Sequence, residues 1–280
     1  MCPPRPATTE PTRLVVSCAM LSDVGCVRDH NEDAVGCMIP RSEDPFALRG
    51  ALAVIADGMG GHAAGEVASQ IALRTILHDY YRDPAAPADA LYNALVAANA
   101  AIVERATLEP DLDGMGTTCS VVAVIGDVAY IANVGDSRIY LLREETLTQL
   151  TDDDSLVAEM LRDGLLSAEE AEQHPDKNVI LRALGTHDFT PTIHADGHQL
   201  LAGDRLMLCT DGISDQIDHA MLESVVARLA PIDACSELIE LARRAGGIDN
   251  ASVGIIELQP AAAGTESAPH STRSRRAYGT

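Results

Sequence analysis

Positive charge is scarce in this sequence: 20 Lys and Arg stand against 42 Asp and Glu, a net charge of -22. Such a surface repels a phosphodiester backbone, which argues against nucleic acid as a partner. Long apolar runs are missing too. None approaches the roughly 18 residues of a membrane span, and the opening MCPPRPATTEPTR lacks the apolar core of a secretory leader. The seven cysteines (Cys2, Cys18, Cys26, Cys37, Cys119, Cys209 and Cys235) are scattered, with no CxxC or Cys/His spacing to suggest a zinc site. They fit a reducing compartment. Those in the apolar runs 14–21 and 206–210 read as small buried hydrophobes, and none is assigned to catalysis. The expectation is a cytoplasmic protein that binds neither membrane nor nucleic acid.

What is present is ample apolar content: 46% of 280 residues, enough for one large core. Residues 1–12 and 260–280 are small, polar and Pro- or Arg-containing, and predict disordered tails around a body of 13–259. Strand-like runs fall at 14–21, 33–40 and 51–56, followed by Ala- and Leu-rich helical stretches at 64–82 and 87–108. The β-branched runs 117–125, 128–134, 138–142 and 147–150, parted by Gly-Asp and charged turns, predict an antiparallel meander. A helical pair follows at 154–164 and 167–174, the second opening on Ser167 and Glu170 in capping-box spacing. It belongs to a surface insertion spanning 151–186. Strands at 190–194 and 204–210, helices at 220–229 and 232–245, and a strand at 251–258 complete the body. Grouped strands and grouped helices predict an α+β domain with two antiparallel sheets covered by helices.

Most of the carboxylates read as solvated surface, but four stand where an apolar run meets a turn: Asp57 after ALAVIA, Asp136 after IANVG, Asp211 after LMLCT, and Asp249 before ASVGII. Ionised carboxylates are costly in such half-buried places unless a cation pairs with them, and hard divalent ions bound through oxygen supply that cation. The alternative is that each Asp caps an ordinary turn. Gly58, Gly60 and Ala63 also match G-x-G-x-x-A, with Asp79 further on, as in dinucleotide binding. Against it, Asp57 would set negative charge beside a pyrophosphate and Asp79 falls inside a helical stretch.

Seven motifs occur in order: Ser22-Asp23-Val24-Gly25, Arg28 with Asn31-Glu32-Asp33, Asp57 to His62, Gly116-Thr117-Thr118, Gly135-Asp136-Ser137-Arg138, Thr210-Asp211-Gly212 and Asp249-Asn250, with HPDKNVILRALG at 174–185. Together they resemble the bacterial form of protein phosphatase 2C, the metal-dependent serine/threonine phosphatases, over about 14–258. The resemblance implies a four-layer α-β-β-α sandwich with two Mn²⁺ or Mg²⁺ ions in a cleft at one end. It implies that Asp57, Asp211 and Asp249 ligate those ions, with the carbonyl of Gly58. Glu32 and Asp33 would hold waters around the ions, and Asp136 with Asp211 would bind a weaker third ion. Arg28 would grip phosphate through two parallel hydrogen bonds. The implied reaction is hydrolysis of phosphoserine and phosphothreonine in proteins by direct attack of hydroxide shared by the two ions, opposing a serine/threonine kinase.

Two departures accompany the resemblance. Met59 follows Asp-Gly where some members have histidine, leaving His62 either as proton donor or as a helix-start residue. In Thr151-Asp-Asp-Asp154-Ser155-Leu156, Asp154 replaces a histidine common in related bacterial sequences; the acids read as a solvated helix start, against a metal-binding or substrate-repelling cluster. A catalytically dead phosphoprotein-binding module of the same fold is the competing function, against which every matched metal position is intact. Arg273, Arg275 and Arg276 read as part of a solvated tail, against a contact for an acidic partner.

Overall fold

Strand β3 (Ala51–Ala56) is buried along its whole length, and its side chains alternate between two separate cores. Leu52 and Val54 join Ala68, Ala72, Ile76, Leu91 and Leu95 on one side, while Ala51, Ala53 and Ile55 meet Ile139, Leu206, Leu208 and Ile256 on the other. A strand covered on both faces reads as a continuous apolar run, as ALAVIA does. The computed structural model to which this strand belongs describes residues 14–60, 64–187 and 189–261. His62, the tail arginines and most of both expected tails lie outside the described residues.

One sheet has the order β1-β12-β11-β8-β9, formed by β1 (Leu14–Asp23), β12 (Ala251–Pro260), β11 (Arg205–Cys209), β8 (Arg138–Arg143) and β9 (Thr146–Gln149). The other has the order β10-β7-β6-β3-β2, with β10 (Thr192–Gln199), β7 (Val128–Val134), β6 (Cys119–Ile125) and β2 (Ala34–Met38). A third pairing joins β4 (Gly58–Met59) to β5 (Gly116–Thr117). Helices α1 (Ala64–Tyr80) and α2 (Pro87–Leu108) cover the second sheet. After the one-turn α5 (Asp211–Ser214), helices α6 (His219–Arg228) and α7 (Pro231–Arg244) cover the first, where Tyr140, Met207, Cys209, Val253 and Ile255 meet Leu222, Val226, Leu238 and Ile239. The result is the expected α-β-β-α sandwich. Pro at the first position of α2 and α7 fixes where each helix starts.

The expected meander is corrected. β6 and β7 pair in one sheet, but β8 and β9 pair in the other, because the chain crosses between sheets at Gly135, Asp136 and Ser137. Gly135 has φ +96°, and a β-carbon there would stand 2.6 Å from Cγ2 of Thr118, so only glycine fits the corner. Strand periodicity says which residues face inward but not which sheet a strand joins. The strand at 190–194 also runs on to Gln199, since a bulge between His194 and His198 absorbs Ala195-Asp196-Gly197 within the pairing to β7. In the insertion, α3 (Leu156–Arg162) starts on Ser155 as its cap, and α4 (Ala168–Glu172) carries the expected Ser167–Glu170 capping box.

The pairing registers bring one set of strand ends together. Asp23 at the end of β1 opposes Ala251 at the start of β12; Cys209 at the end of β11 opposes both Val253 and Arg138 at the start of β8. In the other sheet Ala56 opposes Ala34, and Val134 opposes Cys119. Every chemistry-bearing turn singled out in the sequence therefore opens at the same end of the sandwich.

Candidate active site

Asp57 leaves β3 with its backbone fixed on three sides. Its N–H donates to Oγ1 of Thr118 at 3.0 Å, and its carbonyl accepts from the Thr118 N–H at 2.9 Å and from Oγ1 of Thr117 at 2.8 Å. Gly58 N–H donates to the Glu32 carbonyl at 3.2 Å, and Ser69 of α1 donates its hydroxyl to that same carbonyl at 2.6 Å. Thr118 in turn shares a hydrogen bond with Ser137, whose carbonyl accepts from Ser120. A buried hydroxyl chain thus links the Asp57 turn to the Asp136 corner.

Asn250 organises the opposite wall. Its amide nitrogen donates to the carbonyls of Val24 and His30 at 3.0 and 2.9 Å, and its side-chain oxygen accepts the Glu32 N–H at 2.8 Å. One buried amide therefore holds both ends of the loop that carries Arg28. Arg28 reaches back to Asp249 with Nη2 to Oδ2 at 2.8 Å, and both side chains remain partly open to solvent. Asp33 is buried at 5% exposure and accepts from Oγ1 of Thr210 at 3.1 Å.

These positions share one electrostatic field. Burial, then the charges of Asp33, Asp211, Asp136 and Asp249, push the Asp57 carboxyl well above the usual range. Burial raises Asp33 and Asp136 to about 7 and Asp211 to about 6, with Asp211 acting on Asp33 and Asp136, and Asp249 acting on Asp211. Burial also raises Glu32. Oδ1 of Asp33 and Oδ1 of Asp211 are buried with no hydrogen-bond partner. Orphaned buried carboxylate oxygens are costly, and an all-oxygen donor set of this kind suits Mg²⁺ or Mn²⁺. Among the described residues no three acidic, His or Cys side chains form a ready-made cation cage. The donor chemistry and the orphaned oxygens fit a divalent centre.

The structure brings Glu32, Asp33, Asp57, Gly58, Asp136, Asp211, Asp249 and Arg28 to one end of the sandwich. It corrects the reading of Asp154. This residue is no solvated helix start: it is 4% exposed, accepts from the Gly135 N–H at 3.2 Å, and returns its own N–H to the Gly135 carbonyl at 3.0 Å. Its carbonyl accepts from Leu181, and Arg182 stands 3.4 Å from Oδ1. Asp154 therefore ties the insertion to the corner that carries Asp136. Its neighbour Asp153 takes up Arg138 through both carboxylate oxygens, so two of the three consecutive acids have structural partners.

Residues 29–238 match the family described as Protein phosphatase 2C. The chain belongs to the protein phosphatase 2C family. Serine/threonine protein phosphatase PstP of Mycobacterium tuberculosis is 41% identical over 249 residues, covering 88% of this chain and 45% of that protein. The chain thus spans about half the length of that curated relative. Serine/threonine phosphatase stp of Listeria monocytogenes is 37% identical over 245 residues, 84% of this chain and 93% of that protein. A crystal structure of the M. tuberculosis phosphatase PstP/Ppp superposes with a TM-score of 0.78 at 39% identity, covering 87% of this chain and 99% of that one. The catalytic domain of PstP in complex with two manganese ions superposes at 0.77 and 38% identity, over 88% and 99% of the chains. The protein phosphatase 2C match stops before Asp249, which β12 nonetheless delivers to the same strand ends as Asp57 and Asp211.

The sequence reading quoted Asn250 and Thr118 within motifs but gave them no task, and it missed Ser69 and Gly65 entirely. A polar residue inside an otherwise apolar strand end, as in Gly116-Thr117-Thr118, was the available signal for the hydroxyl chain. Gly65, whose backbone packs directly on that of Gly58, carried none, since its reason is a contact across space.

Proposed function

We propose that this chain is a metal-dependent protein serine/threonine phosphatase. The observation that carries the reading is the gathering of Asp33, Asp57, Asp136, Asp211 and Asp249 in one field, with unpartnered buried oxygens on Asp33 and Asp211. Asp57, Asp211, Asp249 and the Gly58 carbonyl would hold two Mn²⁺ or Mg²⁺ ions; Glu32 and Asp33 would hold waters around them, and Asp136 with Asp211 a weaker third. When bound, such ions acidify water and offset charge on phosphate oxygens. Arg28 lies on an exposed loop with its guanidinium directed at Asp249, placed to grip the non-bridging oxygens of a phosphate arriving there.

Beside Met59 a cleft of about 420 Å³ runs between the Asp57 turn and the insertion, lined among others by Met59, Met115, Ile180, Leu181, Arg182 and Thr186. Its apolar walls and one cation suit the chain flanking a phosphorylated residue, which favours phosphoproteins over small phosphate esters. On this reading 13–259 is the phosphatase domain, 151–186 is its flap, and the protein opposes a serine/threonine kinase in the cytoplasm. No helix among the described residues is long and apolar enough to cross a membrane.

The test is hydrolysis of a phosphothreonine peptide after chelation, followed by Mn²⁺ or Mg²⁺. Activity that returns only with metal is the expected result. Silence with both ions, in protein shown to be folded, would sink the enzyme in favour of a binding module.

A further inference from the structure

The first sheet ends at one edge on β1 and the second ends on β2, and these two edge strands lie over one another. Face-to-face sheets usually stand about 10 Å apart, but here Cα atoms of β1 and β2 come within 8 Å of each other. The two sheets approach closely on this side of the sandwich, where β12 also comes within 8 Å of β2 and β3. Two cysteines lie in this approach. Cys18 on β1 follows Leu14 and Val16 in the inward-facing set, Cys37 on β2 follows Val35, and all five pack into the core between the sheets. Each thiol lies near enough to perturb the ionisation of the other. Both are free, and both are partly reachable by solvent, unlike the buried Cys119, Cys209 and Cys235.

We propose that Cys18 and Cys37 are a site of reversible oxidation that closes into an inter-sheet disulfide on exposure to a hydroperoxide. The two thiols are not equivalent. The neighbouring Cys18 thiol draws the Cys37 thiol below its ordinary value, whereas Cys37 and burial raise Cys18 well above its own. Cys37 is therefore the sulfur that becomes thiolate and attacks. Its lone pair displaces hydroxide from the peroxide and leaves a sulfenic acid; Cys18 sulfur then attacks that sulfur, expelling water as the S–S bond forms. Two thiols lose two electrons and two protons, and one hydroperoxide is reduced. With hydrogen peroxide the products are the disulfide and two waters. A dithiol reverses the step by exchange.

The bond would tie together the two strands between which Arg28, Glu32 and Asp33 are strung. It closes a covalent loop around that whole segment, which Asn250 already clamps from inside. The inference rests on the packing of β1 against β2 and stands whether or not the phosphatase reading holds.

The experiment treats the folded full chain with hydrogen peroxide, blocks remaining thiols, and maps linkages by peptide mass spectrometry. A parallel Cys26→Ser variant keeps the exposed neighbour Cys26 from confusing the assignment. The expected result is a peptide pair joined through Cys18 and Cys37, lost on adding dithiothreitol, together with slower amide exchange across residues 22–33 in the oxidised form. In Cys18→Ser, a dimedone adduct at Cys37 should replace the link. Linkage through Cys26 instead, linkage only after denaturation, or no linkage while both thiols remain alkylatable would each overturn the proposal. All of these readouts are independent of phosphatase activity.

Discussion

Gly58 and Gly65 touch backbone to backbone: a β-carbon on Gly58 would stand 2.2 Å from the Gly65 carbonyl oxygen, and one on Gly65 would stand 2.6 Å from the Gly58 carbonyl carbon. The first turn of α1 thus rests directly on the residue that follows Asp57. Gly65→Ala should force the two apart, costing roughly 1–3 kcal/mol of stability as overpacking does and displacing the Gly58 carbonyl from the site. Urea denaturation together with Mn²⁺-dependent turnover checks both halves. Unchanged turnover would show that the contact does not position the site.

Asp57 should behave oppositely in stability and function. Its ionised carboxylate is disfavoured by burial and by four other aspartates, so Asp57→Asn removes repulsion from the metal-free protein. We expect that form to be the more stable one in the absence of metal, while turnover and stabilisation by Mn²⁺ are lost. Melting curves with and without metal read this directly. A variant that is still stabilised by Mn²⁺ would remove Asp57 from the ligand set.

For Arg28 the expected effect falls on phosphate. Arg28→Ala should raise KM and slow turnover, with a combined loss of about 2 kcal/mol for a charge-assisted contact. Arg28→Lys should recover only part, since an ammonium cannot form the paired hydrogen bonds of a guanidinium. Equal kinetics for wild type and both variants would exclude Arg28 from the site.

Asp154→Ala should loosen the insertion. It leaves the buried Gly135 N–H without its carboxylate partner and Arg182 without its charge partner, at a cost of roughly 1–3 kcal/mol. Limited proteolysis should then cut within 155–187 faster than in the wild type. Identical cutting would mean that the flap is held by its backbone bonds alone.

Much of this was legible because the signals were local. ALAVIA announced a strand, and Ser167 with Glu170 announced a capping box that the structure forms. The gathering of Asp57, Asp136, Asp211 and Asp249 could be anticipated because each borders an apolar run. What could not be read was partnership across the chain. Nothing local told that β8 leaves the sheet of β7, that Asp154 turns inward to Gly135, or that Asn250 grips the loop from Val24 to Glu32. Each depends on a residue far away in sequence.

Strand β12 lies between β1 and β11, and Asp249 and Asn250 sit at its leading end. On a ribosome that extends the chain by about 5–20 residues per second, β1, the sheet of β3, and Asp57 and Asp136 all emerge well before their shared neighbour. Until β12 slots in, the first sheet has an open seam and the Arg28 loop has no clamp. Asp249 and Asn250 consequently join the other strand ends last, by the same event that fills the seam of the first sheet.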